Sequence, residues 1–317
     1  MAVVLGVDGG NSKTELLAAS LDGDLVAQAR GPGNNAHFVG VEATVDFLGR
    51  LVAEAGLEAP AAHGVFYLCG VDVPADREAL TAALEGTSWL DRASVDNDVF
   101  GLLRAGTDEG DVVAVVCGAG INCAGRSADG RIARYPSLGW ESGDWGGSVM
   151  LGRDILFLAA RAEDGRGEPT VLSDLVREHF GLPVAEVGEA VRYRRIPVAR
   201  LGELAPEVVR AAEEGDAVAR RLVERLAEEV VLMATRALAD LGLRERPGRV
   251  LLGGGMLRAG SGLLYEEVVS RLARAAPQAT PLAVAEPPVL GAVLDALDAA
   301  GAPPEAATRL RAAVSAR

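Results

Sequence analysis

The chain has little cysteine, no basic cluster and no long apolar run, and each shortage closes off a class of function. Cys69, Cys117 and Cys123 are odd in number and form no C-x-x-C pair, which argues against a structural zinc or an iron–sulfur cluster held within one chain. The formal net charge is −14 over 317 residues, with no local excess of Lys and Arg to offset it; a nucleic-acid surface is therefore not expected. No apolar run reaches the roughly 20 residues that span a bilayer. The chain enters an apolar stretch at Ala2 without a basic segment and cleavage site, so a cytoplasmic protein with no membrane partner is expected. Also missing are a Gly-Lys-Ser/Thr ending before a helix and a Gly-x-Gly-x-x-Gly fingerprint. What is present, 49% hydrophobic and 24% charged residues, is the composition of a soluble globular protein long enough for two domains.

The most informative stretch is Gly6-Val7-Asp8-Gly9-Gly10-Asn11-Ser12-Lys13-Thr14. Apolar runs on either side make it the tip of a hairpin between strands at Ala2–Val7 and Thr14–Ser20, and a third strand at 25–30 follows the Asp22-Gly23 turn. Such a tip can aim several backbone N–H groups at one anion, a polyphosphate being the natural guest. The same cluster is also ordinary turn chemistry. Residues 111–130 repeat the pattern, with an apolar strand, a glycine turn at Cys117-Gly118-Ala119-Gly120, a second strand and the Asp129-Gly130 turn. Two such meanders about a hundred residues apart imply two similar domains whose tips share a cleft.

Between them, Asp98 falls where the short strand Ser94–Asp98 meets a helix, a place where carboxylates face clefts and also where helices take their N-caps. A helix is expected over 41–54, with Val45, Phe47, Leu48, Leu51 and Val52 as its buried stripe, and another near Asp76. The loop Gly31–His37 is either a polyol-binding or a plain surface loop. Gly139–Gly147, with Trp140 and Trp145 among glycines and acids, suits a polar pocket with one aromatic wall, although Trp145 is as readily a core residue. Helices dominate residues 171–240, the clearest running from Asp216 to Leu241. Gly253-Gly254-Gly255 ends a strand before a helix and offers either a tight turn or a flat backbone for an adenine ring.

These motifs, in this order, resemble the BadF/BadG/BcrA/BcrD-type ATPases, and among them the N-acetylglucosamine kinases of the sugar kinase, heat-shock chaperone and actin superfamily. The likeness runs over almost the whole chain. It implies an α/β fold of two ribonuclease H-like (actin-like ATPase) domains with a nucleotide and substrate cleft between them. Residues 1–112 would form one domain and 113–317 the other, the last helix packing back on the first. The resemblance gives phosphate binding to Gly9, Gly10, Asn11, Ser12, Lys13 and Thr14 and to Gly118, Ala119 and Gly120. It assigns ATP contacts to Gly253, Gly254 and Gly255, sugar contacts to Asn35, Asp98, Asn122, Gly143 and Asp144, catalysis to Asp98, and Mg²⁺, through water, to Asp8.

The implied activity is ATP-dependent phosphorylation of N-acetylglucosamine or glucosamine to the 6-phosphate, by a homodimer using ATP and Mg²⁺. Alternatives are an ATPase that activates a radical dehydratase or reductase, and a non-catalytic sugar- or nucleotide-binding regulator. Three positions depart from the family pattern: Ala119 and Ile121 stand where Thr and Ser are usual, and Trp145 where an acid is.

Overall fold

The computed structural model describes residues 2–57, 60–108 and 110–316. Strand β1 (Val3–Gly9) lies at the centre of a five-stranded sheet. β2 (Lys13–Ser20) and β3 (Leu25–Pro32) continue from it as an antiparallel meander. After the one-turn helix α1 (Ala36–Val39) and helix α2 (Val41–Glu54), β4 (His63–Leu68) joins β1 in parallel. Helix α3 (Pro74–Glu85) then leads to β5 (Ala93–Asp96), parallel to β4, and the order is β3-β2-β1-β4-β5.

Alternate residues of β1 point to opposite faces. Leu5 and Val7 pack with Leu16, Phe66 and Leu68 under Leu48 and Leu51 of α2 and Leu80 and Leu84 of α3. Val4 packs on the other face with Leu17, Val65 and Tyr67. With both faces covered, the strands read as apolar runs rather than as an apolar–polar alternation. Of the stripe expected on α2, Leu48, Leu51 and Val52 are buried, while Val45 and Phe47 pack against the same core at its margin.

The second sheet has the order β10-β9-β6-β7-β8. Helix α4 (Val99–Gly106) precedes its first strand β6 (Val112–Cys117), which is followed by β7 (Ile121–Arg126) and β8 (Ile132–Arg134). Helices α5 (Gly147–Glu163), α6 (Leu172–Phe180), α7 (Val184–Arg192), α8 (Ala205–Glu213) and α9 (Ala217–Asp240) come next. Asp216 caps α9 by accepting from Ala219 N at 2.8 Å, and Val218, Leu222, Leu226 and Val230 form the buried stripe. Strand β9 (Gly248–Gly253), α10 (Leu263–Ala275) and β10 (Ala279–Ala283) complete the sheet.

Finally α11 (Pro288–Ala299) and α12 (Pro304–Ser315) carry the chain back to the first sheet. The compact units are Met1–Ala114 with Val284–Arg317, and Val115–Ala283; the expected second domain, 113–317, is thus divided. Val289, Leu290, Val293 and Leu297 of α11 and Leu310 of α12 fill the face of the first sheet that Val4, Val65 and Tyr67 present. A Cβ on Gly6 would lie 2.2 Å from Val293 N, so the helix can touch the strand backbone only because position 6 lacks one. Among the described residues no helix is long and apolar enough to cross a membrane.

Candidate active site

In the first unit, β1 ends in the tip that the sequence singled out. Gly10 N donates to Lys13 O at 2.9 Å to close the turn, with Asn11 and Ser12 exposed at its end. Lys13 turns back onto Glu15, Nζ to Oε2 at 2.5 Å, and Thr14 is buried with its hydroxyl donating to Pro32 O at 3.0 Å. The loop after β3 lies on this tip: Asn34 N donates to Gly10 O at 3.2 Å, and Asn35 Nδ2 to Asn11 Oδ1 at 3.0 Å. Asn35 Oδ1 also accepts from His37 N at 3.0 Å and so caps α1. One N–H and one lone pair of that amide remain for a ligand.

Two carboxylates stand at strand ends of the first sheet, one on β1 and the other just after β5, with β4 between the two strands. Asp8, the penultimate residue of β1, is buried; that burial first, and then the charges of Asp98 and Glu15, push its carboxyl up to about 8 against the pull of Lys13. Asp98 is half-buried at the start of α4, and burial followed by the charge of Asp72 pushes it up to about 6. The helix-cap alternative for Asp98 is not realised, since its side chain makes no capping hydrogen bond. Its neighbour takes that place: Asn97 Oδ1 accepts from Val99 N at 3.0 Å while Nδ2 donates to Asp72 Oδ1 at 2.7 Å.

Among the described residues no set of three or more His, Cys, Asp or Glu side chains is gathered to hold a metal ion. Asp8 still fits a hard dication. A buried carboxylate beside two others gains most from a positive charge, and an ion that keeps several waters needs one or two protein oxygens.

In the second unit the glycine motifs are assembled on one another. The second tip closes through Gly118 N to Gly120 O at 2.9 Å. Ser148 N donates to Gly118 O at 2.8 Å and Val149 N to Ala119 O at 3.1 Å, so the tip itself uses N–H groups from the first turn of α5. Met256 N donates to Cys117 O at 3.1 Å, and at Gly254, whose φ is +82°, a Cβ would sit 2.4 Å from that same oxygen. Gly253 is buried and Gly255 exposed. The expected helix does not begin at the triple glycine. Turns intervene until Leu263, because Gly254 reverses the chain onto Cys117.

Asn122 is nearly buried, its Oδ1 accepting from Cys123 N at 2.6 Å. Asp144 is half-buried, takes the Ser142 hydroxyl on Oδ2, and donates its N–H to Gly139 O at 2.9 Å. Gly143, exposed at φ +81°, ends the short 3-10 turn before it. Ser137 also holds a left-handed φ of +50°, its hydroxyl donating to Ile121 O at 2.9 Å. Strained serines of this kind collect at ligand sites.

Trp145 is a core residue. Its Nε1 donates to Asp154 Oδ2 at 3.1 Å, and the Arg225 guanidinium lies 3.8 Å from its ring centroid while also bonding Asp154 at 3.2 Å. The exposed indole is Trp140, 76% accessible. Asp72, Asn97, Arg225 and Glu229 had not been singled out from the sequence. Burial raises Glu229, and Asp144 and Glu228 add to this against Arg225. Only Asn97, adjacent to Asp98, carried a local signal; the others are placed by the fold.

The BadF/BadG/BcrA/BcrD ATPase family matches the chain over residues 5–296. An N-acetylmuramic acid/N-acetylglucosamine kinase of Clostridium acetobutylicum is 26% identical over 274 residues, covering 84% of this chain and 89% of that protein. An N-acetyl-D-glucosamine kinase of Dictyostelium discoideum is 26% identical, over 93% of this chain and 98% of its own. A crystal structure from Chromobacterium violaceum superposes with a TM-score of 0.72 at 23% identity, covering 93% of this chain and 98% of that one. This last likeness is one of fold.

Proposed function

Because the chain belongs to the BadF/BadG/BcrA/BcrD ATPase family, we propose that it is an ATP-dependent kinase transferring the γ-phosphoryl group to the 6-hydroxyl of an amino sugar, N-acetylglucosamine or glucosamine. The observation that carries this reading is Asp98: a half-buried carboxylate at a strand-to-helix junction, relieved of capping by Asn97 and raised only to about 6. A base of that strength is ionised at neutral pH and close to the optimum for accepting a proton. Asp98 orients the sugar hydroxyl and takes its proton as the oxygen bonds to phosphorus; the bond to the β-phosphate oxygen breaks and ADP leaves. The transition state is loose, so the remaining work is placement and neutralisation of charge.

Backbone N–H groups of Gly9–Thr14 and of Gly118–Gly120 hold the phosphates, and Gly253–Gly255 carry the adenosine. Asn35, Asn122, Gly143 and Asp144 hold sugar hydroxyls. Asp8 would hold Mg²⁺ through water, and the ion would supply positive charge at the phosphate oxygens. Thr14 contributes through the sheet, since its hydroxyl is engaged with Pro32. A homodimer in the cytoplasm, where ATP is available, completes the proposal; sedimentation measures the first and fractionation of cells the second.

The activator reading needs accessible thiolates at a shared surface. Cys117 and Cys123 are buried to 0% exposure, Cys117 with its thiol pushed up to about 12, and burial holds Cys69 high as well. Mass spectrometry of an incubation with ATP, Mg²⁺ and each sugar tests the kinase reading. A sugar gaining one phosphoryl group is expected; ATP hydrolysis with every sugar unchanged would reject it.

A further inference from the structure

The imidazole of His37 ties the loop that carries Asn35 to the turn between β4 and α3. Its Nε2–H donates to Asp76 Oδ2 at 3.1 Å, and Nδ1 lies 3.8 Å from Asp72 Oδ2. Asp76 in turn accepts from Val73 N at 3.2 Å and from Asp72 N at 3.3 Å, which fixes the start of α3 and the backbone of Asp72. The other oxygen of Asp72 takes the Asn97 amide at 2.7 Å, and Asn97 receives Val99 N. From α1 to α4 the links therefore run from His37, hydrogen-bonded to Asp76 and 3.8 Å from Asp72, through Asp72 to Asn97, the last two being nearly buried. The loop has little else to pin its outer end, since α1 buries no residue and Phe38 stands 84% exposed.

We propose that His37, Asp72 and Asn97 are positioning residues that hold the sugar loop and the catalytic aspartate in one register. His37 acts mainly on sugar binding and Asn97 mainly on the chemical step, with Asp72 as the joint between them. The inference rests on the assignment of Asn35 to the sugar and of Asp98 to the proton. Asp8 on β1 and Cys69 after β4 also feel the charge of Asp98, and the charge of Asp72 acts on both Asp98 and Cys69.

The test is steady-state kinetics of the full-length protein with N-acetylglucosamine and glucosamine, using whichever is turned over faster, with calorimetric sugar binding as a second readout. Loss of one charge-assisted hydrogen bond is worth about tenfold. On that scale His37→Ala raises the sugar KM and Kd about tenfold with little change in kcat, while Asn97→Ala lowers kcat about tenfold at nearly constant KM. Asp72→Ala does both. Asp72→Asn, which keeps an oxygen for Asn97 but removes the charge that faces both His37 and Asp98, recovers most of kcat, moves the acid limb of kcat/KM to lower pH and leaves KM high.

Equal changes in kcat and KM across the series, or an Asp72→Asn variant no better than Asp72→Ala, would overturn the proposal and reduce the three residues to scaffolding. Asp98→Asn is measured alongside. If it is inactive while the split is absent, this inference fails and the kinase reading stands; if it remains active, both fall.

Discussion

Asp8 and Asp98 are both raised by burial and repel each other, yet the shifts have different consequences. For Asp98, a folded-state value of about 6 places the acid limb of kcat/KM near pH 6, with activity lost as the proton returns below it. Asp98→Asn removes general-base catalysis and lowers kcat about 10²- to 10⁴-fold, without lowering the melting temperature. For Asp8 the shift is a liability of the apo protein. Its carboxyl ionises near 3.8 unfolded and near 8 folded, so between those values the folded state holds more protons and stability falls as pH rises. Asp8→Asn abolishes that slope and stabilises the apo protein at pH 8 by an amount on the order of a few kcal/mol, while ending Mg²⁺-dependent turnover. Urea titrations at pH 5 and pH 8 give both slopes; an unchanged slope in the variant contradicts the assignment.

Elements were read well where their signal was local. The meander around Gly9-Gly10, its repetition around Gly118–Gly120, the helix at 41–54 and the long helix after Asp216 all follow from apolar period and turn residues. Trp145 was ambiguous because nothing near it in sequence announces Arg225, which arrives from α9 to cover the ring. The turn after Gly253 was equally hidden, since its shape is set by Cys117 on another strand. Close packing of elements makes its own prediction. A Cβ at Gly291 would lie 2.1 Å from Gly101 O, where α11 crosses α4. Gly291→Ala therefore costs about 1–3 kcal/mol through overpacking, more if the helices cannot shift. Thermal melting measures it, and a loss below about 0.5 kcal/mol, the range of an inert surface change, would contradict the close approach.

Over the whole molecule, the chain leaves the first unit at residue 114 and returns to it at residue 284. The resemblance implies this return for the last helix only; apolar period does not extend it to α11, which the entire second unit separates from the strands it covers. A chain ending at Ala283 lacks the apolar layer formed by Val289, Leu290, Val293 and Leu297. Hydrogen exchange on that truncated chain is expected to show protection lost from β1 and β4 and kept in α9. Protection retained in both units would contradict the division.

The central claim is that this molecule uses Asp98 to move a phosphoryl group from ATP to an amino sugar. The most direct measurement is ADP release with Mg²⁺ and ATP across a panel of amino sugars and plain hexoses, for the native chain and for Asp98→Asn. The account predicts stimulation by an amino sugar in the native chain and its disappearance in the variant. Turnover indifferent to every sugar, or equal in the two proteins, would contradict it.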